Sequence, residues 1–396
     1  MPSFPLRLTL GLVSLTLTGA QVACAQAAPT ALQTLNLPAP AVWLAAEALQ
    51  IYAVTEKAEL WRVSNGKATV LAKNFSSAFI TACSGRVVGV NGAGQLQVWN
   101  GEAVESAPNA DLSPLAHPVC LPFGIVAATR AGDLVRFDPA AGSWREAART
   151  PANALPDAQL MLADLDGGGE EVVALTRPDA TRYGHGILGD TAEPTEITVF
   201  ERHSLSVLSR LSLPAPFVFE DLQARPVKLE GVKGGNDSLA VVRSSPGGGA
   251  ALALISKGQD GLKVQATGPD FGQTHRWLTP VVGFGQVWAV KTPHIGGQLT
   301  QYTRAGNTLK TSPPFAGVSS HGIGSRNLNA AVLTAPGQLV VPSQDHRNLL
   351  SVECRTKCQI TAKLALGGTY SSNLLFASGQ VWMGDSSGKL HGWTVK

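Results

Sequence analysis

The sequence predicts an all-β protein: an eight-bladed β-propeller, with seven blades as the alternative count. Three observations carry that prediction: composition, an internal repeat, and a mismatch between the two ends of the chain. Of 396 residues only 15% are charged, while 42 glycines and 25 prolines make up about one residue in six. Combined with 44% apolar residues, this mixture excludes a disordered chain, a coiled coil and a helix bundle. It suits many short strands joined by tight turns.

The repeat is visible in plain residues. Gly94–Trp99 (GQLQVW) recurs as Gly132–Phe137 (GDLVRF), Gly297–Tyr302 (GQLTQY) and Gly388–Trp393 (GKLHGW), with a weaker copy at Ala58–Val63 (AELWRV). Each is a turn followed by a short strand with Leu on one face. A second element lies upstream of several copies: Gly85–Val90, Gly124–Thr129, Gly285–Val290, Gly337–Val341 and Gly379–Met383. These are apolar runs of the kind that sit buried between two sheets. Reading outward gives four strands per unit, with units beginning near residues 41, 78, 116, 158, 218, 274, 326 and 371. A period of about 46 residues is close to that of propeller repeats. The ends complement each other. The last unit stops after its third strand, and Leu32–Leu37 (LQTLNL) is a strand-like segment with no partner in the first unit. Supplied to the last blade, it closes the ring and leaves no sheet edge bare.

In chain order, residues 1–27 read as a secretory signal. Arg7 is the only charge before an apolar run from Leu8 to Ala20, which is too short to span a membrane, and Ala23–Ala25 and Ala25–Ala27 are small-residue cleavage motifs. Residues 28–396 then form a single propeller domain. A lipid anchor at Cys24 is disfavoured, because Gln21 stands where lipoprotein signals carry an aliphatic residue. No later segment has the apolar length of a membrane helix. The expected location is periplasmic or secreted, and Cys83, Cys120, Cys354 and Cys358 suit an oxidising compartment. Cys354 and Cys358 flank a three-residue turn and predict a bridge within one hairpin. Cys83 and Cys120 end the innermost strands of consecutive units at similar depth and predict a second. The balance of 31 basic against 28 acidic residues argues against a dedicated nucleic-acid binder.

Two motifs resemble known repeats. Gly132–Trp144 (GDLVRFDPAAGSW) resembles a quinoprotein-type, PQQ-like propeller repeat. That family holds quinone-dependent dehydrogenases and non-enzymatic scaffolds of outer-membrane assembly. The dehydrogenases' recurring tryptophan motifs are missing here, so the resemblance implies a scaffold. Ala163–Val173 (ADLDGGGEEVV) resembles the FG-GAP or VCBS class. That implies calcium held by Asp164, Asp166 and one of Glu170 or Glu171, since calcium takes six to eight oxygens and alternate side chains on a tight loop can share one centre. An acidic hairpin turn without metal is the alternative.

The connecting loops place six of eight histidines on one face: His117, His185, His275, His294, His321 and His346. With Arg182 and Arg347 they predict a weakly basic funnel for an anionic or polypeptide ligand. The candidate binding residues are therefore Arg182, His185, His275, His294, His321, His346 and Arg347. There is no zinc-helix spacing, nucleophile elbow or phosphate loop. The expected function is a non-catalytic binding or interaction scaffold whose partner is a protein or a cell-envelope component. The alternatives are an outer-membrane assembly scaffold and a propeller hydrolase or lyase using the histidine-rich face. A convergent histidine–carboxylate cluster would favour the enzyme, and an apolar groove at a blade edge would favour the scaffold.

Overall fold

The computed structural model describes residues 32–229 and 235–395. The expected signal segment and Cys24 lie outside them. Among the described residues there is no helix, and nearly all regular structure is antiparallel meander. Six sheets have four strands each. Four are runs of consecutive strands: Ala41–Glu47 to Lys67–Lys73, Ile80–Cys83 to Val104–Ser106, Val119–Leu121 to Ser143–Thr150, and Met161–Ala163 to Val207–Ser212. A fifth runs from Val332–Ala335 to Cys358–Ala365. Between the fourth and fifth, two further meanders merge into one ten-stranded sheet through a single parallel pair, Thr267 with Thr308.

The remaining sheet joins the two ends of the described chain. Leu32–Asn36 pairs antiparallel with Lys389–Trp393, from Leu32 opposite Trp393 to Asn36 opposite Lys389, and Gln380–Gly384 and Leu375–Ala377 complete it. The first strands of neighbouring sheets touch in succession. Ala41–Glu47 packs against both Ile80–Cys83 and Leu375–Ala377, and Leu278–Gly283 packs against both Arg225–Val227 and Val332–Ala335.

The repeat has a physical cause. Its glycine accepts a hydrogen bond from the segment that crosses to the next sheet: Leu112 on Gly94, Ala154 on Gly132, Val318 on Gly297 and Leu37 on Gly388. At Gly132 the backbone has a φ of 85°, and a Cβ there would lie 2.7 Å from the Ala154 carbonyl oxygen. Only glycine allows that crossing at no steric cost. The upstream apolar runs become second strands, and Arg86–Val90, Gly124–Ala128 and Gln338–Pro342 are buried almost throughout. The core is therefore a series of interfaces between sheets. One gathers Trp43, Tyr52, Phe75, Phe79 and Trp99, and another gathers Leu37, Leu44, Ile51, Trp382 and Leu390. Each large side chain so buried contributes about 1.5–3 kcal/mol.

Two bridges are present. Cys83–Cys120 ties the first strands of consecutive sheets across a Cα separation of 6.0 Å, and Cys354–Cys358 closes its hairpin at 3.9 Å.

Candidate functional site

Three segments build one cleft. The long loop between Glu171–Asp179 and Glu193–Phe200 brings Tyr183, His185 and Ile187. The entry to Leu278–Gly283 brings His275, Arg276 and Trp277, and the turn after Gln286–Lys291 brings Thr292, His294 and Ile295. Ile323 closes the far side of a cavity of about 150 Å³.

Its hydrogen bonds define the state of each ring. His185 Nδ1 bonds the carboxylate of Glu220, which is fully buried and also accepts from the Ser244 hydroxyl. Burial raises the Glu220 pKa even though His185 and Ser244 pull it down. The Glu220 carbonyl accepts the Trp277 indole N–H at 2.8 Å. His185 and His275 stack with centroids 4.9 Å apart, and the Tyr183 hydroxyl accepts the His275 backbone N–H at 2.9 Å. Burial, then the charge of Glu220, pushes Tyr183 up to about 12.

Deeper in, His321 Nε2 donates to the Ser325 carbonyl at 2.8 Å, since a carbonyl only accepts. Its Nδ1 therefore accepts from His294 Nε2 at 2.9 Å. Burial lowers His294 to about 4 and His321 to about 3, so both are neutral at pH 7. His346 reaches the same network through Ser319 Oγ at 2.8 Å, and burial lowers its pKa as well. Trp277 packs on His321 with centroids 4.8 Å apart.

Two further features belong to this cleft. His275 and Thr292 hold positive φ values of 55° and 44°. For β-branched Thr292 that is an uncommon, strained conformation of the kind that concentrates at functional sites. The rim is apolar and open, with Ile295 61% and Ile323 75% exposed.

The expected basic funnel carries little charge at its floor: the deep imidazoles are neutral, and the carboxyls nearby are pushed toward their protonated forms. Glu193, almost fully buried, rises to about 9 through burial and then through Glu220, Asp190 and Asp157. Asp157 rises to about 6 through burial and Asp190, although Arg326 bonds it at 2.7 Å. Arg182 is spent elsewhere, donating to the carbonyls of Leu213 and Phe217 and pairing with Asp179. Arg347 bonds Asp345 through its backbone N–H. His117 lies outside the cleft, half-buried beside Trp43 and Phe79 against the Ile80 carbonyl.

The acidic loop does not gather its carboxylates. Asp164 Oδ1 accepts the N–H groups of Gly167 and Gly169, and Asp166 pairs with Lys257. Glu171 accepts the Arg202 N–H at 2.7 Å, while Glu170 offers its carbonyl to the Arg202 guanidinium. Among the described residues no three His, Cys, Asp or Glu side chains are placed to share a metal. Asp164 and Asp166 are engaged by the turn's own N–H groups, and Glu171 by the Arg202 backbone.

Sequence reasoning missed Glu193, Glu220 and Trp277. The available signal was Glu220-Asp221 directly after the apolar run Phe217–Phe219, an acidic pair adjoining a strand that had to be buried.

No family model matches this sequence, and no curated protein matches it. Among solved structures the chain is similar to BamB from Moraxella catarrhalis, with a TM-score of 0.61 and 11% identity over 92% of this chain and 98% of that one. It is similar to Saccharomyces cerevisiae Sqt1, with a TM-score of 0.62 and 11% identity over 92% and 98%. It is also similar to the computationally designed Ika8 protein, with a TM-score of 0.55 and 12% identity over 91% and 98%. BamB and Sqt1 are propeller folds, and BamB is of the PQQ-like class that Gly132–Trp144 resembles. At such identities the likeness shows the fold.

Proposed function

We propose that this protein is a non-catalytic binding scaffold acting outside the cytoplasm, in the periplasm or as a secreted protein, with the imidazole-lined cleft as its ligand site. The cleft itself carries the reading. An open apolar rim stands over a floor whose rings are already held by Glu220, Ser325 and Ser319, so little conformational freedom remains to be lost on binding. The scaffold is an eight-bladed ring in which Leu32–Asn36 completes the last blade. Counting the ten-stranded sheet as two units gives that number, and Leu37 meets Gly388 as Leu112 meets Gly94. The two disulfides support an oxidising compartment. That BamB, an outer-membrane assembly scaffold, shares the fold supports a protein partner.

A photo-crosslinking residue at Ile323, compared with one at Leu49 (79% exposed, in the turn between Ala41–Glu47 and Gln50–Thr55), tests this in producing cells. A discrete adduct at 323 that disappears with Ile295→Asp is expected. The same adducts from both positions would refute the reading.

A further inference from the structure

A second concavity, of about 350 Å³, lies where the turn Ser312–Phe315 faces the hairpin Cys354–Cys358. Its origin is local. Proline lacks the N–H that a sheet ladder needs, so Pro313-Pro314 cannot continue the pairing of Thr308–Thr311 with Gln298–Ala305. Ser312 takes up both backbone groups of Gln301, by its own N–H and by its hydroxyl, each at 3.0 Å. The chain rejoins the sheet only at Phe315, opposite Leu299.

The detour leaves a groove whose accessible apolar side is half-buried Phe315 with exposed Pro313 and Pro314, above Trp288, which is itself buried. The disulfide hairpin forms the other side, holding Arg355 and Lys357 at its tip. Arg355 is 82% exposed with its guanidinium against Glu353, and Lys357 is exposed. Cys358–Ala365 is the last strand of its sheet, so its outer edge is bordered by no other strand of that sheet. The groove therefore offers an apolar floor, a cationic rim and an adjacent strand edge. Its volume, at the low end of ligand sites, admits one or two side chains rather than a folded surface.

We propose that this groove docks an extended acidic segment of a partner protein, with one aromatic or aliphatic side chain on Phe315 and the two prolines and flanking carboxylates on Arg355 and Lys357. The occupant follows from complementarity: two cations face the groove, and one carboxylate, Glu353, offsets them. The site is separate from the imidazole cleft, and neither proposal depends on the other.

Binding of the fluorescent peptides EEFEE and KKFKK to the purified protein tests it. The acidic peptide should bind at least about tenfold more tightly, a preference set by charge complementarity. In Arg355→Glu/Lys357→Glu the preference should reverse, while Ile323→Asp in the other cleft should leave it unchanged. Cys354→Ser/Cys358→Ser should weaken binding by loosening the cationic wall. Equal binding of both peptides, a preference that survives charge reversal, or phenylalanine amide binding as tightly as the acidic peptide would each overturn the proposal. A melting midpoint for the charge-reversed variant matching wild type shows that the comparison is made on folded protein.

Discussion

His185 and His391 each sit against a deeply buried carboxylate, yet they differ in what is left over. His391 uses both ring nitrogens: Nε2 bonds Asp385 at 2.8 Å and Nδ1 reaches the Thr34 hydroxyl at 3.3 Å. The pair is local in sequence and sits at the seam where Lys389–Trp393 pairs with Leu32–Asn36. Burial alone would raise Asp385, but hydrogen bonds from His391, Ser387, Gly367 and Lys389 outweigh it and hold the carboxyl down to about 2. His185 bonds Glu220 across 35 residues through Nδ1, and its ring lines an open cleft. Burial wins at Glu220 and raises its pKa. A saturated histidine–carboxylate pair holds the fold together, whereas a half-used pair facing a cleft is available for recognition.

The largest test of that contrast removes the seam. Deleting residues 28–37 strips the last sheet of a strand and His391 of Thr34, and should cost more than about 4 kcal/mol in urea unfolding. An unchanged midpoint would break the structural half of the comparison. His391→Ala should cost about 3 kcal/mol, because Asp385 is left buried without its main partner. His185→Ala should cost about 1 kcal/mol, because Glu220 keeps Ser244 and can take up a proton. Equal losses would erase the distinction.

pH sharpens it further. The Asp385 contribution is present above its ordinary value of 3.8 and is lost as pH falls through about 2. Glu193 has the opposite sign. Its contribution is full below 4.5 and is lost as pH rises toward about 9, so Glu193→Gln should flatten the stability profile over that window. A Glu193→Gln profile that falls as steeply as wild type would contradict a Glu193 buried in its protonated form. The smallest effect belongs to the acidic loop. Asp166→Ala removes a surface pair with Lys257 and should cost less than about 0.5 kcal/mol, with no melting shift in millimolar calcium. A calcium shift abolished by Asp164→Ala would show that the loop rearranges to bind metal.

Much of the architecture was legible because the repeat is enforced at single positions. The crossing segment approaches Gly132 too closely for a Cβ, and the spacing of such glycines marks the units. The cysteine pairs were legible because strand depth repeats along with the glycines. The site was legible only as a face. His185, His275, His294 and His321 converge as their loops suggested, but their charge depends on burial, and burial is set by Trp277, Glu193 and Glu220 from other segments. The alternating acids of 164–171 are ambiguous in sequence, because an Asp on a glycine-rich turn bonds backbone N–H groups as readily as it binds a cation.

Histidine modification by diethylpyrocarbonate, read residue by residue by mass spectrometry, tests the central claim most directly. In purified protein His185 and His275 should be modified early, and His391 only on unfolding. In the producing cell's own envelope or secreted fraction, the label at His185 and His275 should fall while the exposed His203 stays modified. Modification of His391 at the rate of His185, or no protection of the cleft relative to His203, would contradict the account.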